Sequence, residues 1–251
     1  MRLPEFIIGG APRSGTTWLY ELLDRHPGVH MARPLAPEPK FFLRDDEYAK
    51  GLQYYSDRWF AGVDPARMAG EKSTDYLESA EAATRIARAL PYVKLIFILR
   101  EPVSRAYSNY LWSKMNGLET EDFVTALALE EQRERALPEK WKFTRPFSYF
   151  SRGLYAELLE PYFNRFIEHQ ILVTRFEDVI ERPRALADTV QRFIGVEPRP
   201  EDADGLGVIN PSERDEAGLA DDVRRDLAAR YAEPNRRLAA MLGPSFRMWT
   251  A

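Results

Sequence analysis

Residues 5–20 read EFIIGGAPRSGTTWLY and hold the strongest indication of the fold. The short apolar run 5–10 predicts a buried strand, and apolar residues at helical spacing predict a helix over 16–25. Between them lies a tight turn, residues 10–17, with the spacing G-x-x-x-x-G-x-[ST]; we call it the glycine loop. Glycines permit such a turn, and backbone N–H groups at the helix start can cradle an anion. The alternative is a plain glycine turn, but the strand, the helix and the Ser/Thr pair favour a phosphate-binding loop.

Further along the chain, strands and helices are predicted to alternate. Residues 94–99 (KLIFIL) are apolar after the first, which is typical of a central parallel strand covered on both faces. A segment with three prolines, residues 33–44, predicts an extended loop, which we call the proline loop. Other strands are predicted at 29–32, 68–74 and 170–174, and other helices at 48–60, 79–90, 102–113, 154–167, 183–194 and 219–242. This alternation predicts a three-layer α/β fold with a central parallel sheet and the glycine loop at its carboxyl edge.

Length and composition limit the classes of function. The chain has 251 residues, 45% of them hydrophobic and 29% charged, which is typical of a globular protein with a sizeable core. The net charge of −4 gives no overall basic field for nucleic-acid binding. Cysteine is absent, and the three histidines are far apart, so neither a thiol nucleophile nor a zinc site is expected. We expect a single domain over residues 1–251, in which the charged, irregular stretch 117–150 is a substrate-side insertion.

The sequence also supports expectations about location. The amino-terminal residues do not resemble a leader, and no window approaches 18 uninterrupted apolar residues, so we expect no membrane span and a cytoplasmic protein. The 28 arginines against 7 lysines indicate GC-rich codon usage and therefore a bacterial source.

The glycine loop departs from the NTPase pattern at one position. Where that motif has lysine before the final Thr, this chain has Thr16, and the basic residue lies earlier, at Arg13. No acidic partner for Mg²⁺ is evident. These differences argue against ordinary ATP or GTP hydrolysis and predict a nucleotide whose transferable group reacts without a metal. The residues expected to bind its phosphate are Arg13, Ser14, Gly15, Thr16 and Thr17.

Residues 12–19 (PRSGTTWL) resemble the 5′-phosphosulfate loop of sulfotransferases that use 3′-phosphoadenosine 5′-phosphosulfate (PAPS). In that family a second motif binds the 3′-phosphate: a strand, an arginine and a serine eight residues on. Arg100 directly follows the strand 94–99, and Ser108 lies two turns into the next helix. The spacing alone is a weak signal, but paired with the loop it is strong. The resemblance implies PAPS as co-substrate, adenosine 3′,5′-bisphosphate as product, and no metal.

Other segments resemble the heparan-sulfate-type, or carbohydrate, branch of that family. Residues 38–42 (EPKFF) are similar to its E-x-H/K-F-F segment, in which the Glu is the usual candidate base. Residues 71–76 (EKSTDY) are similar to its EK[ST]xxY segment, whose Lys lies at the sulfuryl group. The resemblance therefore implies Glu38 as general base and Lys72 as catalytic cation. It covers roughly residues 5–195, including similar segments at 50–55, 152–155 and 170–173.

Some features depart from the branch or allow two interpretations. Arg13 stands where the branch mostly has Lys, and PRSGTT looks more like the tyrosylprotein branch. No closing loop over the nucleotide is recognisable, so Ser212 and Arg214 are the best substitutes for its outer contacts, with ordinary loop residues as the alternative. Trp18 either stacks on adenine, as the matching Trp does in cytosolic sulfotransferases, or packs in the core. His30 is the next candidate base after Glu38.

Together these motifs predict a sulfotransferase that moves the sulfuryl group of PAPS to an acceptor hydroxyl by in-line transfer. Glu38 takes the acceptor proton, and Arg13 and Lys72 neutralise the leaving phosphate. The acceptor is a carbohydrate or another small molecule; a phenol, a peptide tyrosine and a secondary metabolite also remain open. The alternatives are a nucleotide or small-molecule kinase using the same loop and a catalytically inactive nucleotide-binding module.

Overall fold

The computed structural model describes residues 1–207 and 218–249. Within these ranges five strands form one parallel sheet: β1 (Phe6–Gly10), β2 (Val29–Met31), β3 (Met68–Lys72), β4 (Lys94–Leu99) and β5 (Ile171–Arg175). Their order across the sheet is β2-β3-β1-β4-β5. The predicted α/β class with a central parallel sheet is confirmed.

Ten α-helices lie in the same described ranges. They are α1 (Thr16–Arg25), α2 (Asp45–Tyr48), α3 (Gly51–Trp59), α4 (Ala80–Ala89), α5 (Pro102–Met115), α6 (Phe123–Arg135), α7 (Tyr155–Phe163), α8 (Glu177–Glu181), α9 (Pro183–Ile194) and α10 (Asp221–Leu242). Short 3₁₀ turns separate several of them. None of the helices in the described part of the chain combines the length and the apolar character needed to span a bilayer.

Two predicted segments differ from the structure. The predicted helix 48–60 covers α3, Gly51–Trp59, but its first residue, Tyr48, ends the separate helix α2. Gly51, at the start of α3, has a φ of +82°, outside the right-handed helical region, and this breaks the two helices apart. The stretch 117–150 was expected to be irregular, and this is wrong for α6, a helix of 13 residues. The Asp122 side chain caps α6 by accepting a hydrogen bond from the Thr125 N–H at 3.0 Å. The helix has only a weak amphipathic pattern, so periodicity did not reveal it.

The described residues fall into two compact units. The sheet unit comprises residues 1–99 and 159–207, and the helical unit comprises residues 100–158 and 218–249. In the sheet unit, Phe6, Ile8, Ile96 and Ile98 pack against apolar residues of α1 and α9 on one face of the sheet. On the other face the ring of Phe97 packs edge-on against Tyr162, which belongs to the same unit. The helical unit has its own core.

The core of the helical unit is largely aromatic. Its buried residues are Val103, Ala106, Tyr107, Tyr110, Phe123, Ala126, Tyr149, Leu219, Leu227 and Tyr231. The ring of Phe123 on α6 lies 5.1 Å from each of the rings of Tyr107 and Tyr110 on α5, so these two helices share one hydrophobic cluster. The prediction of a single domain over residues 1–251 stays a prediction.

The sheet topology fixes where ligands can approach. From β1 the chain passes to β2 and β3 on one side of the sheet, and from β3 it crosses to β4 on the other. The carboxyl end of β1 is therefore a topological switch point, the place where open α/β sheets bind ligands. The glycine loop begins there, and its Ala11 N–H donates to the Ile98 carbonyl at 2.8 Å.

Candidate active site

The glycine loop is shaped by its backbone. Gly15 has a φ of +86°, and a Cβ at this position would lie 2.8 Å from Cδ2 of Phe176. Only glycine combines that left-handed conformation with so close an approach. Gly15 is also the N-cap of α1 and has no side chain to accept hydrogen bonds from the first turn of the helix. The amide groups and the positive end of the helix dipole at this point suit an anion.

All five predicted phosphate-binding residues lie in this one turn. They are Arg13, Ser14, Gly15, Thr16 and Thr17. Ser14 and Thr16 are buried, whereas Arg13 and Thr17 are half-buried. Arg13 has a φ of +66°, which is uncommon for a residue other than glycine and fits the tight turn. The turn is therefore of the predicted kind, and the binding role of each residue stays a prediction.

Trp18 lies in the hydrophobic core. Only 2% of its surface is exposed, and it packs in the cluster that α1 and α9 form with the sheet. Its indole N–H donates to the Leu206 carbonyl at 3.4 Å. These contacts favour the core role, and the adenine contact stays a prediction.

The end of β3 separates two sets of side chains by strand alternation. Successive residues of an extended chain point to opposite faces, so residues 71 and 73 share one face and residues 72 and 74 the other. On the first face, the Ser73 hydroxyl donates to Oε2 of Glu71 at 3.1 Å. On the second face, Lys72 and Thr74 both contact Glu38 of the proline loop.

Glu38 and Lys72, the predicted base and cation, form an ion pair although they are 34 residues apart in the chain. Their side chains are 13% and 6% exposed, respectively. Thr74 adds its backbone N–H, which donates to Oε2 of Glu38 at 3.1 Å, and its hydroxyl, which lies 3.3 Å from both carboxylate oxygens. Thr74 was not predicted as a site residue. The alternation of Lys72 and Thr74 at the strand end is the signal that points to it.

The ion pair lies beside the start of the glycine loop. Lys72 is in register with Ile8 of β1, and the Ser73 N–H donates to the Ile8 carbonyl at 3.1 Å. A Cβ at Gly10 would lie 2.9 Å from the Thr74 carbonyl oxygen. The structure thus brings the predicted base, one predicted cation and the predicted phosphate-binding turn to one edge of the sheet.

Buried contacts fix the segment that carries Glu38. The Lys40 N–H donates to the Ser73 hydroxyl at 2.9 Å, and the Phe42 N–H donates to the Tyr76 hydroxyl at 3.2 Å. Phe41 and Phe42 are fully buried, and Phe41 stacks on Tyr55 with ring centroids 4.3 Å apart. Phe41, Phe42 and Tyr55 are therefore part of the core.

Glu71 is a fully buried carboxyl group directly behind this segment. Burial raises the pKa of Glu71 to about 7, although the hydroxyls of Tyr55, Tyr76 and Ser73 act in the opposite direction. The charge of Glu38 raises the pKa further. No role had been predicted for Glu71 beyond its place in the EKSTDY segment.

Arg100 and Ser108 belong to the helical unit. Arg100 directly follows β4 and is 4% exposed, and Ser108 lies on α5 and is 1% exposed. The Tyr155 hydroxyl donates to the Arg100 carbonyl at 2.8 Å and so holds its backbone. The carboxylate of Glu101 caps α5 by accepting from the N–H groups of Val103 and Ser104. Ser212 and Arg214 lie outside the described residues.

The three histidines have different surroundings. Nδ1 of His26 accepts from the Gly28 N–H at 3.0 Å, and its Nε2 lies 2.8 Å from the Glu197 carbonyl oxygen, so this ring is structural. Burial lowers the pKa of His30 on β2, and the charges of Arg67 and Arg33 lower it further. His169 is exposed. Within residues 1–207 and 218–249, no three His, Cys, Asp or Glu side chains form a group that could hold a metal ion.

Residues 3–206 match the sulfotransferase domain family. Curated relatives include mouse heparan sulfate glucosamine 3-O-sulfotransferase 3A1, which is 32% identical over 195 residues, or 78% of this chain and 46% of the relative. Human bifunctional heparan sulfate N-deacetylase/N-sulfotransferase 3 is 30% identical over 210 residues, or 78% of this chain and 23% of the relative. The chain thus spans about half the length of the former and about a quarter of the latter.

Solved structures give the same picture. A sulfotransferase from Alicyclobacillus acidocaldarius superposes with a TM-score of 0.78 and 28% identity, over 96% of each chain. A mouse sulfotransferase complexed with PAP shares the fold, with a TM-score of 0.61 and 15% identity over 94% of this chain and 86% of that one. The resemblance seen in the sequence is confirmed, including its heparan sulfate branch. Because the family match extends over most of its length, this chain belongs to the sulfotransferase family, a class of enzymes that take their sulfuryl group from PAPS.

Proposed function

We propose that this chain transfers the sulfuryl group of PAPS to a hydroxyl of a carbohydrate or another small molecule. The observation that carries the proposal is the Glu38–Lys72 pair at the edge of the sheet, beside the glycine loop. A proton acceptor and a cation next to a phosphate-binding turn are the groups that sulfuryl transfer requires. The relatives described above are named as heparan sulfate sulfotransferases, which supports a carbohydrate acceptor for this chain.

The start of α1 fits the 5′-phosphosulfate of PAPS. Its N-cap is a glycine, and no acidic residue occupies its first turn. A bound anion is therefore not repelled by a carboxylate of that turn. The phosphate-binding residues of this proposal are Arg13, Ser14, Gly15, Thr16 and Thr17. Arg100 and Ser108 bind the 3′-phosphate, Trp18 contacts the adenine, and Ser212 and Arg214 make the outer contacts. These assignments rest on the sequence motifs.

The proposed chemistry divides between a base and two cations. Glu38 takes the proton of the acceptor hydroxyl as the acceptor oxygen bonds to sulfur. The bond between sulfur and the phosphate oxygen breaks, and Lys72 and Arg13 neutralise the charge left on that oxygen. The products are the sulfated acceptor and adenosine 3′,5′-bisphosphate. No metal takes part.

The ion pair is compatible with both roles. An ammonium group has three N–H donors, so Lys72 can contact Glu38 and a phosphate oxygen at the same time. Thr74 contacts both carboxylate oxygens and fixes the plane of the Glu38 carboxylate. Holding the base in one orientation reduces the entropy that must be lost when the acceptor binds.

An acceptor screen with labelled PAPS tests the proposal. The panel contains a heparan-type oligosaccharide, a phenol, a tyrosine peptide and a small alcohol, and it is run with the wild type and with Lys72→Ala. We expect label on the oligosaccharide with the wild type and a large loss of label with Lys72→Ala.

Calorimetry compares the binding of adenosine 3′,5′-bisphosphate with that of ATP–Mg²⁺; tighter binding of ATP–Mg²⁺ would favour a kinase. Nucleotide binding without turnover of any acceptor would indicate an inactive binding module.

Chelation provides an independent test of the metal-free mechanism. Because Lys72 and Arg13 supply the charge on the leaving side, activity should survive EDTA within a factor of about two. The assay is initial rate with and without EDTA, at saturating PAPS. Loss of activity that Mg²⁺ restores would contradict the mechanism.

Three broader predictions remain proposals. We expect residues 1–251 to act as one catalytic domain, with residues 117–150 on the acceptor side. Variants with a shortened segment 117–150 should therefore change the acceptor preference more than the affinity for adenosine 3′,5′-bisphosphate. The excess of arginine over lysine supports a bacterial source. We also expect a cytoplasmic location, which fractionation of the native cells tests.

A further inference from the structure

Glu71 is fully buried, yet it lies among groups that hold the proposed base in place. Its carboxylate accepts from the Ser73 hydroxyl at 3.1 Å, and the hydroxyls of Tyr55 and Tyr76 lie near enough to lower its pKa. Two of these three hydroxyls bind backbone amides of the proline loop. Ser73 accepts from the Lys40 N–H and Tyr76 from the Phe42 N–H.

The charged form of Glu71 sets the direction of these hydrogen bonds. An ionised carboxylate can only accept, so a hydroxyl that faces it must donate. Each hydroxyl then has only lone pairs left for its other partner, which in both cases is an amide N–H. Glu71 thus orients the Ser73 hydroxyl through their hydrogen bond, and the nearby Tyr76 hydroxyl through its charge, as acceptors for the segment that follows Glu38.

We propose that Glu71 is a positioning residue for Glu38, acting through the hydroxyls of Ser73 and Tyr76 on the backbone of residues 40–42. By fixing that backbone it keeps the Glu38 carboxylate against Lys72 and Thr74. The inference rests on the proposed function, because it takes Glu38 as the base. It adds a residue that does not touch substrate or nucleotide but on which the geometry of the base depends.

The variant Glu71→Gln tests the orientation rather than the packing. Glutamine has the same shape, but its NH₂ group donates and reverses one of the hydrogen bonds. In a buffer of about pH 8, where Glu71 is mostly charged, kcat should fall about tenfold, and the KM for PAPS should stay within about twofold. Amide exchange should become about tenfold faster at residue 40 or at residue 42, whichever hydroxyl the NH₂ group faces. A residue that only fills space would leave all three measurements at their wild-type values.

Single-hydroxyl variants provide matched controls. Tyr76→Phe should speed exchange mainly at residue 42, and Ser73→Ala mainly at residue 40. Tyr55→Phe removes a hydroxyl that also faces Glu71 but, among the described contacts, receives no amide of the proline loop, so exchange at both positions should stay unchanged. If Glu71→Gln does not fold, exchange at residues 40 and 42 of the wild type at about pH 5 and about pH 8 decides the question, because protonation of Glu71 ends its purely accepting role. Equal protection at both pH values, after correction for the intrinsic exchange rate, would refute the positioning role.

Activity and exchange separate the two proposals. If the wild type sulfates no acceptor, the proposed function fails, and exchange at residues 40 and 42 still reports on Glu71. If the wild type is active and Glu71→Gln exchanges at wild-type rates, the positioning role is refuted and the proposed function stands.

In a Glu38→Gln background, Glu71→Gln should lower kcat by less than about twofold, because its effect passes through Glu38. A further tenfold loss would refute that route.

Discussion

The glycine loop and the proline loop, which both lie beside the end of β3, are held by different means. The glycine loop depends on backbone conformation, since Gly15 has a positive φ and lies against the ring of Phe176. The proline loop is held by side-chain partners, through Glu38 with Lys72 and through two amides with buried hydroxyls. The first should therefore be sensitive to added atoms and the second to lost hydrogen-bond partners. The two loops also serve different steps of the proposed reaction, nucleotide binding and proton transfer.

The largest effect should come from the proline loop. Glu38→Gln keeps the shape and removes proton acceptance, so kcat should fall by roughly 10²–10⁴-fold. Affinity for adenosine 3′,5′-bisphosphate and the melting temperature should stay near wild type, because nucleotide binding belongs to the other loop. The measurements are steady-state kinetics, calorimetry and thermal unfolding.

A charge control accompanies that variant. Glu81→Gln removes an exposed carboxylate from α4, where it pairs with Arg85, and should leave kcat unchanged. A Glu38→Gln enzyme that keeps more than about a third of the wild-type kcat, with chemistry rate-limiting, would exclude Glu38 as the base. His30 would then be the next candidate.

Glu71, which supports the proline loop, should also make the free energy of unfolding depend on pH. The pKa of Glu71 is about 7 in the folded protein, and its ordinary value is 4.5. Between pH 4.5 and pH 7 the folded state therefore binds one proton more than the unfolded state. The contribution of Glu71 to the free energy of unfolding is therefore greatest below about pH 4.5 and is lost as the pH rises through about 7, by about 3 kcal/mol in total. Urea unfolding of wild type and Glu71→Gln between about pH 4 and pH 8 measures this. The difference between their unfolding free energies should change in that direction, and a constant difference would mean that Glu71 does not titrate in this range.

A smaller effect is expected when Arg100, the residue predicted to bind the 3′-phosphate, is replaced. Arg100→Ala should weaken binding of adenosine 3′,5′-bisphosphate by about 10- to 150-fold, the typical contribution of a charge-assisted hydrogen bond. Binding of AMP, which lacks the 3′-phosphate, should hardly change, because the glycine loop binds its 5′-phosphate. Calorimetry with both ligands makes the comparison. Equal losses would make Arg100 a structural residue.

The smallest effect concerns the backbone of the glycine loop. Gly15 and Gly62 both have positive φ, +86° and +72°, but a Cβ at Gly62 has nothing within 4 Å. Gly15→Ala and Gly62→Ala share the conformational cost of about 1 kcal/mol, so the difference between them isolates the contact with Phe176. We expect Gly15→Ala to be less stable by a further 1–2 kcal/mol, approximately, in urea unfolding. Equal losses would mean that the ring of Phe176 moves aside.

The sequence predicted best those elements that have a strong periodic pattern. The apolar run 94–99 and the helix 16–25 have the predicted bounds, and Ser79, the first residue of the predicted helix 79–90, caps α4 by accepting from the Ala82 N–H. The break between α2 and α3 was missed because a single glycine conformation causes it. Helix α6 was missed because its apolar residues lack a clear helical face.

The candidate site was predicted in part. Motif resemblance identified Glu38 and Lys72, and the structure places them in contact. Thr74 and Ser73 escaped notice because their roles depend on which face of the strand end meets the proline loop. Alternation places Thr74 on the face of Lys72, but the pairing of that face with the proline loop joins residues more than thirty positions apart, and no local pattern encodes the pairing.

The alternation at the end of β3 restricts how this chain can change in evolution. Glu71 and Lys72 are neighbours with opposite charges, one directed into the buried cluster and the other toward the Glu38 carboxylate. A slip of β3 by one residue against β1 would exchange the two faces. It would bury the ammonium among tyrosine rings and bring a second carboxylate to the edge where an anionic nucleotide is expected. Insertions and deletions should therefore be tolerated in the turn 61–67 before β3, and a single-residue change of length within Met68–Lys72 should abolish function.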